Sequence, residues 1–555
     1  MAEEKVIEDN VVAAIERDFK EYSVAEFFKK NRQMLGYSGK VRSLTTIIHE
    51  YVTNSLDACE DAKILPEISV EVRDLPNGHV KVIVQDNGTG LPKSKVGQAL
   101  GQLLAGTKFH QRMQKRGQQG IGAAYATLFA QITTGKPTKV KTGTGNYKVF
   151  EAEVSIDVKK NVPVLDNVAE SSGSFKGLRI EAEFAEVTFN RSEYGVYEYL
   201  RRTALANPHA QLTLIEPNKE ITVFPRASKE IPKKPGNILP HPLGITTSDL
   251  MDMAGSSTAR KISSFLTGEF SRFSSDKVKE IDALVNSGTE KIIDFNKHPG
   301  TLQWNQAEEL IKAFQKVKWI APEMSSLQPI GEKQIEISLK NLLEPEFLSV
   351  RERRPRVFRG GIPFLVECGI AYGGKAGSKT GSTTGEVLRF SNRVPLLFDA
   401  GNCAITEAVK TVDWNRYHLK DLENQPVTLF VNFVSVYVPY TGAGKLAISA
   451  EEEIVQEIRQ GLMDAAREVS GFLGGLKRAE DQEKRRQVFF KYIGEVSESL
   501  HDLTGKPIVE IQEKLRKIAK ARTEILLNGG DQEDETDVQL KEMEEEAEKA
   551  IQEEG

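Results

Sequence analysis

The segment HEYVTNSLDA, residues 49–58, carries the most informative arrangement of polar side chains in the sequence. On a helix, Glu50, Asn54 and Asp57 stand at positions i, i+4 and i+7, so all three project from one face. A carboxylate one turn from an amide oxygen suits the deprotonation of a water beside Mg²⁺, which keeps several waters and takes few protein oxygens plus phosphates. The same trio also fits the solvated face of an amphipathic helix, so the segments that follow have to distinguish the two.

Two glycine-rich segments after this helix favour a nucleotide site. In QDNGTGLP, residues 85–92, Asp86 ends a predicted strand, where its carboxylate can accept a hydrogen bond from a purine amino group while the glycines let backbone approach a ligand. In RGQQGIGAA, residues 116–124, glycines precede a helix, where backbone N–H groups and the helix dipole favour phosphate. Each segment alone is weak, but together and in this order they predict nucleotide binding.

Residues 1 to about 230 have the pattern of an α/β unit. The turn Pro76-Asn77-Gly78 predicts a β-hairpin between two alternating strands. Helices are predicted at 11–33, 43–59 and 121–130, and strands at 67–73, 79–85, 138–157 and 178–185. Helices mixed with antiparallel hairpins in this way predict a two-layer α/β sandwich, not a parallel βαβ sheet.

The rest of the chain is predicted to form a helical region and a second α/β region. A proline-rich linker at 226–244 precedes the helical region, 245–320, for which we predict helix caps at Thr247-Ser248 and Ser256-Ser257. Within 325–475, strands are predicted at 333–339, 362–370 and 427–438. After that the chain is predicted to be helical, with an apolar stripe that ends at Asn528-Gly529-Gly530 and consists of Ile508, Ile511, Leu515, Ile518 and Ile525.

Composition excludes several classes of protein. Three well-separated cysteines among 555 residues cannot build a disulfide framework or a zinc knuckle. No apolar run approaches the roughly 20 residues of a membrane helix, and the acidic start MAEEKVIEDN is unlike a signal peptide. We therefore expect a cytoplasmic protein with no membrane partner. The net charge of −5 combines an acidic tail at 531–555, with a net −10, and a body with a net +5, which tolerates a polyanionic partner without requiring one.

The three motif segments resemble the Bergerat-type ATP-binding fold shared by gyrase, Hsp90, mismatch-repair MutL proteins and sensor histidine kinases. The resemblance is closer to the B subunits of DNA topoisomerase VI and covers about residues 20–475. FFKKNRQMLG at 27–36, leading into HEYVTNSLDACEDA, is similar to the N-terminal signature of that family. GTKF at 106–109 and GAGK at 442–445 also match it.

This resemblance implies catalytic roles for Glu50 and Lys445. Glu50 would be the general base that activates the attacking water, and Lys445 would reach the γ-phosphate of ATP from the third region. Asn54 would hold Mg²⁺ against the triphosphate, with Asp57 beside it in the nucleotide site. Positioning and charge neutralisation of this kind supply most of the rate in phosphoryl transfer.

The resemblance also implies contacts to the adenine and a lid over the phosphates. Asp86 would read the adenine amino group, and Gly90 would let the base approach. The lid would consist of Thr107, Lys108, Gly117, Gln118, Gln119, Gly120, Ile121, Gly122, Ala123 and Ala124. The usual third glycine box pairs Gly with Thr, whereas here Leu178 follows Gly177, so we assign that box no ligand role.

The expected fold class is a multidomain α+β protein: a Bergerat-type α/β sandwich, a helix-two-turn-helix insert, and an α/β transducer with long C-terminal helices. The expected domains are the Bergerat ATPase domain at 1–228, the helix-two-turn-helix domain at 229–306, the transducer domain at 307–475, a helical stalk at 476–530 and the acidic tail at 531–555.

The function implied is that of the ATP-binding and ATP-hydrolysing component of a type IIB, archaeal-type DNA topoisomerase, associated with the nucleoid. ATP with Mg²⁺ would drive self-dimerisation and gate the passage of one duplex through a double-strand break made by the A subunit of topoisomerase VI. The two proteins would form an A2B2 heterotetramer that relaxes supercoils and separates linked DNA. The chain would be active only together with its A subunit.

Two alternatives remain open from the residues alone. An ATP-driven clamp of the MutL or Hsp90 type would share Glu50, Asn54 and Asp86, although the 245–305 helical insert favours the topoisomerase. A non-hydrolysing scaffold for a DNA-cleaving protein is disfavoured by the intact Glu50. Whether 245–305 or the motif WNRY at 414–417 contacts DNA is left open, because scattered basic residues and aromatic pairs are common on ordinary surfaces and in ordinary cores.

Overall fold

The computed structural model describes residues 24–104, 114, 116, 122–234, 236, 239–288, 292–320, 322, 324–379, 382–383, 385–442 and 444–528. The chain divides after Arg467 into two compact units. Among the described helices, none is long and apolar enough to span a bilayer. The predicted acidic tail at 531–555, and the part of the first predicted helix before residue 24, lie outside the described residues.

The first region of the larger unit is built on a mixed sheet with helices packed against it. After α1 (Val24–Lys30) and a 3-10 turn (Arg32–Leu35), its elements are α2 (Lys40–Asp61), β1 (Glu67–Asp74), β2 (Val80–Gln85), α3 (Lys93–Gly101), α4 (Gly122–Thr134), β3 (Thr138–Thr144), β4 (Lys148–Asp157), β5 (Val162–Ser172), β6 (Lys176–Phe184), α5 (Val196–Ala206), β7 (Gln211–Ile215) and β8 (Ile221–Phe224). The strand order is β5-β4-β3-β6-β2-β1-β7-β8, and every pair is antiparallel except β1 with β7.

The core of this region lies between the sheet and its helices. Leu44 and Ile48 of α2 are fully buried, as are Val70 and Val82 of the facing strands, in one continuous apolar cluster. The alternation in the sequence therefore matches a sheet with one face covered, and the two-layer α/β sandwich is confirmed. Strand β5 was not predicted; it pairs on one side only and is exposed along most of its length, so burial imposes no alternation on it.

The second region is a cluster of short helices. It contains a 3-10 turn (Pro242–Gly244), α6 (Thr247–Ser256), α7 (Ile262–Glu269), α8 (Ser275–Val285), a second 3-10 turn (Pro299–Thr301) and α9 (Trp304–Lys316). Phe265, Phe270 and Phe314 are buried together in its core. Because α9 packs into this cluster, we propose that the boundary with the next region lies near residue 320, not at 306. The other predicted boundaries stay predictions.

The cap predicted at Thr247-Ser248 was wrong by one residue, whereas Ser257 of the predicted pair Ser256-Ser257 is the C-cap of α6. The N-cap of α6 is Thr246, whose hydroxyl accepts a hydrogen bond from the Asp249 N–H at 3.3 Å. The Asp249 carboxylate in turn accepts from the Thr246 N–H at 2.9 Å, which completes a capping box. The cap of α7 is Lys261, and neither Ser256 nor Ser257 serves it.

The third region has its own sheet. Its elements are α10 (Glu332–Leu343), β9 (Phe347–Glu352), β10 (Arg356–Phe358), β11 (Ile362–Tyr372), β12 (Ser378–Lys379), β13 (Ser382–Thr383), β14 (Glu386–Ser391), β15 (Val394–Pro395), α11 (Ala404–Thr411), β16 (Val427–Ser435), and 3-10 turns at Ala400–Asn402, Trp414–Tyr417 and Leu422–Asn424. The strand order is β10-β11-β16-β14-β15, with β9 also paired to β11. The strands predicted near 362–370 and 427–438 are therefore present.

The strand predicted at 333–339 was wrong, because this segment lies in helix α10. Ile335, Ile337 and Leu339 alternate as in a strand, but Ile335, Leu339 and Leu343 also repeat every four residues and are the buried apolar positions. The helix begins after Gly331, whose φ of 91° few other residues adopt. The tertiary burial of one helical face decided between the two patterns.

Two helices close the described chain, α12 (Glu452–Thr504) and α13 (Ile508–Asn528). The predicted C-terminal helix and its end at Asn528 are confirmed. Only part of the predicted apolar stripe is buried: Ile511 is buried, whereas Ile518 is exposed.

Replacing Thr246 with alanine should destabilise α6 by about 1 kcal/mol, the usual cost of losing an N-cap hydroxyl. Thr247→Ala, one residue further on, removes no cap and is the matched control. Amide hydrogen exchange of the α6 backbone in both variants measures the difference. Equal effects of the two substitutions would contradict the position of the cap.

A second stability prediction concerns Glu367 of β11, which is fully buried. Its carboxylate accepts hydrogen bonds from the Asn432 side chain at 2.7 Å and from the Gly331 N–H at 2.6 Å. Burial raises the pKa of Glu367 from 4.5 to about 7, although these hydrogen bonds oppose the rise. The protonated carboxyl therefore contributes stability that is fully present below pH 4.5 and is lost as the pH rises through about 7.

The Glu367→Gln variant should lack this pH dependence, because its side chain does not titrate. The stability of the wild type relative to the variant should fall by up to about 3 kcal/mol between pH 4.5 and pH 8, the free energy of a shift of this size. Thermal unfolding of both proteins across this pH range measures it. A difference between the two proteins that stays constant with pH would refute the assignment.

Candidate active site

A cavity of about 570 Å³ lies among α2, α3, α4 and β6 on one side and residues 395–398 and 444–446 of the third region on the other. Its wall brings together the described residues that the sequence predicts for a nucleotide site, namely Glu50, Asn54, Asp57, Asp86, Gly90, Gly122, Ala123, Ala124 and Lys445. The other predicted lid residues, Thr107, Lys108, Gly117, Gln118, Gln119, Gly120 and Ile121, lie outside the described residues. The individual roles of all these residues stay predictions.

The Asp86 carboxylate is held by three hydrogen bonds. Its Oδ1 accepts from the backbone N–H groups of Gly88 at 2.9 Å and Leu178 at 3.1 Å, and its Oδ2 accepts from the Ser55 hydroxyl at 2.7 Å. Because a carboxylate oxygen accepts about two hydrogen bonds, Oδ2 keeps one position for a donor in the cavity. Burial raises the pKa of Asp86 above its ordinary value, and the three hydrogen bonds oppose that rise.

Glycines allow the backbone segments around Asp86 to pack closely against one another. Gly177 has a φ of 115°, and a Cβ on it would lie 2.1 Å from the Asp86 carbonyl oxygen. Gly90 has a φ of 66°, and a Cβ there would lie 2.5 Å from the Gly143 carbonyl oxygen. The Thr142 hydroxyl accepts a hydrogen bond from the Leu91 N–H at 2.7 Å and fixes the same turn. Sequence reasoning missed this backbone role of Gly177, and only the glycine itself signalled it.

Glu50 lies against the first residue of α4. A Cβ on Gly122 would lie 1.7 Å from Glu50 Oε2, so glycine at this position makes room for the carboxylate. The first turn of a helix has unpaired backbone N–H groups and a partial positive charge, which favour a carboxylate or a phosphate there. Asn54, one turn along α2 from Glu50, is exposed in the cavity wall.

Asp57 is paired with an arginine in the wall of the cavity. Its Oδ1 accepts a hydrogen bond from the Arg116 guanidinium at 2.8 Å, and both side chains are largely buried. Part of its hydrogen-bonding capacity is therefore already used within the protein.

Lys445 and Glu50 both act on the imidazole of His49. Burial lowers the pKa of His49; the Glu50 carboxylate opposes this, and the positive charge of Lys445 lowers the pKa further. His49 is therefore neutral at pH 7. Lys445, from the third region, lines the same cavity as Glu50.

Tyr37 is a cavity residue that sequence reasoning missed. It is buried, and its ring packs against Tyr125 of α4 with the ring centroids 4.6 Å apart. Its hydroxyl has no hydrogen-bond partner among the described residues. Burial raises the pKa of Tyr37 well above its ordinary value, and the charge of Glu50 adds to the effect. A buried hydroxyl without a partner beside the cavity is available to a ligand.

Comparison with known proteins places these observations in a family. The model of the family described as "Histidine kinase-, DNA gyrase B-, and HSP90-like ATPase" matches residues 42–173, and that of "Topoisomerase VI B subunit, transducer" matches residues 322–486. The B subunit of type 2 DNA topoisomerase 6 from Pyrococcus furiosus is 44% identical over 92% of this chain and 97% of its own. That of Methanothermobacter thermautotrophicus is 43% identical over the same shares.

The matching solved structures are less similar to this chain than these relatives. The ATPase region of Saccharomyces cerevisiae topoisomerase II is 11% identical, with a TM-score of 0.38, and covers 82% of this chain and 100% of its own. The N-terminal domain of a DNA repair protein is 14% identical, with a TM-score of 0.39, and covers 79% of this chain and 97% of its own.

The α/β sandwich and its cavity define an ATPase of the class that includes histidine kinases, DNA gyrase B and HSP90. Within that class, the identity over nearly the full length of both chains is decisive. The chain belongs to the family of type 2 DNA topoisomerase 6 B subunits.

Replacing Gly177 with alanine should weaken nucleotide binding by about a hundredfold or more, because the new Cβ displaces the backbone of Asp86 and leaves buried polar groups mispaired. Gly78→Ala is the matched control, since Gly78 also has a positive φ, of 77°, but nothing lies within 4 Å of its Cβ position. Titration of each variant with a fluorescent ATP analogue measures the affinities. Similar losses in both variants would mean that backbone strain alone, and not Asp86, is responsible.

Proposed function

We propose that this cavity binds ATP with Mg²⁺, and that hydrolysis there drives the gating step of a type 2 DNA topoisomerase. The observation that carries the proposal is the meeting of Asp86, Glu50 and Lys445, from three separate parts of the chain, in the wall of one cavity. As a B subunit, the chain acts on DNA together with a partner protein. Membership of the topoisomerase family argues against a clamp of the MutL or Hsp90 type. The ATPase class of the first region argues against a scaffold that does not hydrolyse ATP.

Asp86 recognises the adenine in this proposal. The remaining acceptor position on Oδ2 suits the exocyclic amino group of adenine, which is a donor. Gly90 keeps the adjoining turn free of a side chain, so a flat base can approach the backbone. Apolar side chains from α3 and β6, such as Leu100 and Ile180, line the same cavity and suit the faces of the base.

Glu50 and Asn54 serve the phosphate end. Glu50 accepts the proton of the attacking water, and the Asn54 side-chain oxygen, one turn away on the same face of α2, holds Mg²⁺. The described residues contain no group of three His, Cys, Asp or Glu side chains able to hold a metal alone. This donor set fits magnesium, which takes most of its ligands from water and phosphates. The ion would neutralise charge on the phosphate oxygens.

The lid and Lys445 complete the site. Gly122, Ala123 and Ala124 form the first turn of α4, whose N–H groups suit the phosphates; the remaining lid residues are Thr107, Lys108 and 117–121. Lys445 reaches the γ-phosphate from the third region. A triphosphate then holds the first and third regions together, and its hydrolysis releases that contact.

The proposed contact between ATP and the two regions also accounts for how the subunits assemble. ATP binding brings two copies of the chain together, and the closed dimer holds one duplex while the A subunit carries the cleaved one, in an A2B2 heterotetramer at the nucleoid. The helical region at 245–305 and the motif at 414–417 stay open as DNA contacts. Tyr417 is buried and the Trp414 indole N–H donates to the Val409 carbonyl at 2.9 Å, which favours a structural role for both aromatic rings.

Sedimentation of the full chain with Mg²⁺ and a non-hydrolysable ATP analogue tests the proposal. The wild type should dimerise only with nucleotide. Asp86→Asn keeps the shape of the side chain but can turn an N–H donor towards the adenine amino group, so its affinity should fall by about a hundredfold. Glu50→Gln should bind and dimerise normally but hydrolyse ATP at least about a hundredfold more slowly, the usual loss for a general base.

The two variants act as controls for each other, because one should lose binding and the other only hydrolysis. If the Asp86→Asn variant bound the ATP analogue with wild-type affinity, Asp86 would not be the residue that recognises adenine. If the Glu50→Gln variant hydrolysed ATP at the wild-type rate, Glu50 would not be the general base.

A further inference from the structure

A second cavity, of about 450 Å³, shares no wall residue with the proposed nucleotide site. Its wall consists of the end of α5 with the turn after it, the linker at 230–234, the segment at 325–330, Gln334 of α10, and Arg393. Cavities of this size bind small molecules in other proteins. The ATPase reaction proposed above gives this cavity no role, so its own wall has to indicate what it binds.

About half of this wall is apolar and partly rigid. Pro208, Pro232 and Pro329 belong to it, and because proline fixes φ, these positions have little backbone freedom to lose when a ligand binds. The other apolar residues of the wall are Ala206, Ile231, Leu327 and Ile330. Such a wall suits the apolar body of an organic molecule.

The charged side chains of the wall are mostly cationic: Arg393, Lys233, Lys234 and Glu230. The Glu230 carboxylate already accepts a hydrogen bond from the Gln334 amide at 2.6 Å, and Lys234 pairs with Asp61 at 2.7 Å. Lys233 is exposed and has no ion-pair partner in the part of the chain that the structure describes. Positive charge therefore exceeds negative charge around the cavity, which favours an anion.

Arg393 is the buried cation of the wall. It lies in the turn between β14 and β15 and is only 4% exposed. Its Nη2 donates to the carbonyl oxygens of Gln328 at 3.3 Å and Pro329 at 3.4 Å, and its Nη1 lies 3.6 Å from Glu60 Oε2. Its Nε has no hydrogen-bond partner among the described residues. A buried donor without an acceptor is typical of a site that a ligand completes.

The charge of Arg393 is only partly balanced within the protein, because Glu60 is shared. Arg116 donates to both oxygens of Glu60, at 2.6 and 3.0 Å, and His209 forms a hydrogen bond with one of them at 2.7 Å. Burial lowers the pKa of Arg393; Glu60 opposes this, and the charge of Arg116 lowers the pKa further. Arg393 stays protonated at pH 7, since even a lowered guanidinium pKa lies far above it. A further anion beside this cation would therefore be stabilised.

The wall also has an acceptor that lacks a donor. Gln334 uses its amide N–H on Glu230, which fixes the orientation of the side chain, and its buried Oε1 has no partner among the described residues. A ligand with an N–H or O–H on its body can supply the missing donor.

We propose that this second cavity binds a small organic acid, with its acid group at Arg393 and Lys233 and its flat apolar body against the prolines and aliphatic side chains of the wall. The inference goes beyond the proposed ATPase function and does not depend on it.

Indole-3-acetate is a suitable probe, because it combines a carboxylate, a flat apolar body and one N–H. Indole-3-acetamide is the matched neutral compound. Each is titrated into the full chain and followed by ligand-observed NMR, with and without Mg²⁺ and a saturating non-hydrolysable ATP analogue. Indole-3-acetate should bind with a dissociation constant of about 1 mM or lower, as is usual for a ligand of about a dozen non-hydrogen atoms. The amide should bind at least about tenfold more weakly, and the ATP analogue should not displace the acid.

Two variants test the position of the site. Lys233→Glu reverses a charge at the opening and should weaken the binding of indole-3-acetate about tenfold. The matched control is Lys229→Glu in the same linker, which is also exposed but does not belong to the wall and should leave the affinity unchanged. Ser325→Trp replaces a small exposed side chain of the wall with a large one and should abolish binding. The thermal midpoint of each variant confirms that it is folded.

Several results would overturn the inference. They are the absence of saturable binding up to about ten times the expected dissociation constant, displacement of indole-3-acetate by the ATP analogue, and equal affinities for the acid and the amide. Equal losses in Lys233→Glu and Lys229→Glu would also overturn it, because they would show attraction to surface charge in general. Binding that persists in a folded Ser325→Trp variant would place the acid elsewhere. None of these results changes the proposed function, which the sedimentation experiment tests separately.

Discussion

The hydrogen bond from Ser55 to Asp86 shows how much of this structure depends on one helix. Ser55 lies on α2, whose apolar face is buried against the first sheet, so its side chains have fixed positions. One part of the polar face holds Asp86, and another carries Glu50 and Asn54. The last turn holds Arg116. A single rigid element thus places Asp86, the pair Glu50 and Asn54, and Arg116 at set distances from one another, which pre-organises the wall of the cavity.

The local parts of this arrangement could be predicted from the sequence. Helix α2, the β1–β2 hairpin and the glycines around Asp86 are specified by residues close together in the chain, where periodicity and turn chemistry apply. The alternation of apolar residues from Ile335 to Leu339 gave a wrong strand prediction, because the same residues also fit a helical repeat. Only packing against the sheet of the third region decides between a strand and a helix here. The exposed strand β5 carried no burial signal at all.

The long-range parts could not be predicted from the sequence. Thr142, Gly177 and Arg393 gain their importance from neighbours 50 or more residues away in the chain, such as Leu91, Asp86 and Glu60. No spacing rule links residues at such separations when only one sequence is known. The family resemblance did point to Lys445, because it stands in a short motif that can be matched as a unit, whereas the buried partners around Arg116 belong to no motif.

With the adenine placed on Asp86 as proposed above, the three donors on this carboxylate also set a rule for competitive inhibitors. With Gly88, Leu178 and Ser55 already donating, one acceptor position is left, so a tight-binding scaffold must present one N–H or O–H at that point. A compound that presents a carbonyl or ring nitrogen there instead would face a carboxylate and lose the hydration of both groups without compensation. Medicinal chemistry aimed at this pocket therefore starts from aminopurines, phenols or similar donors. O-methylation of the phenol or dimethylation of the amino group removes every donor hydrogen and provides a simple inactive analogue.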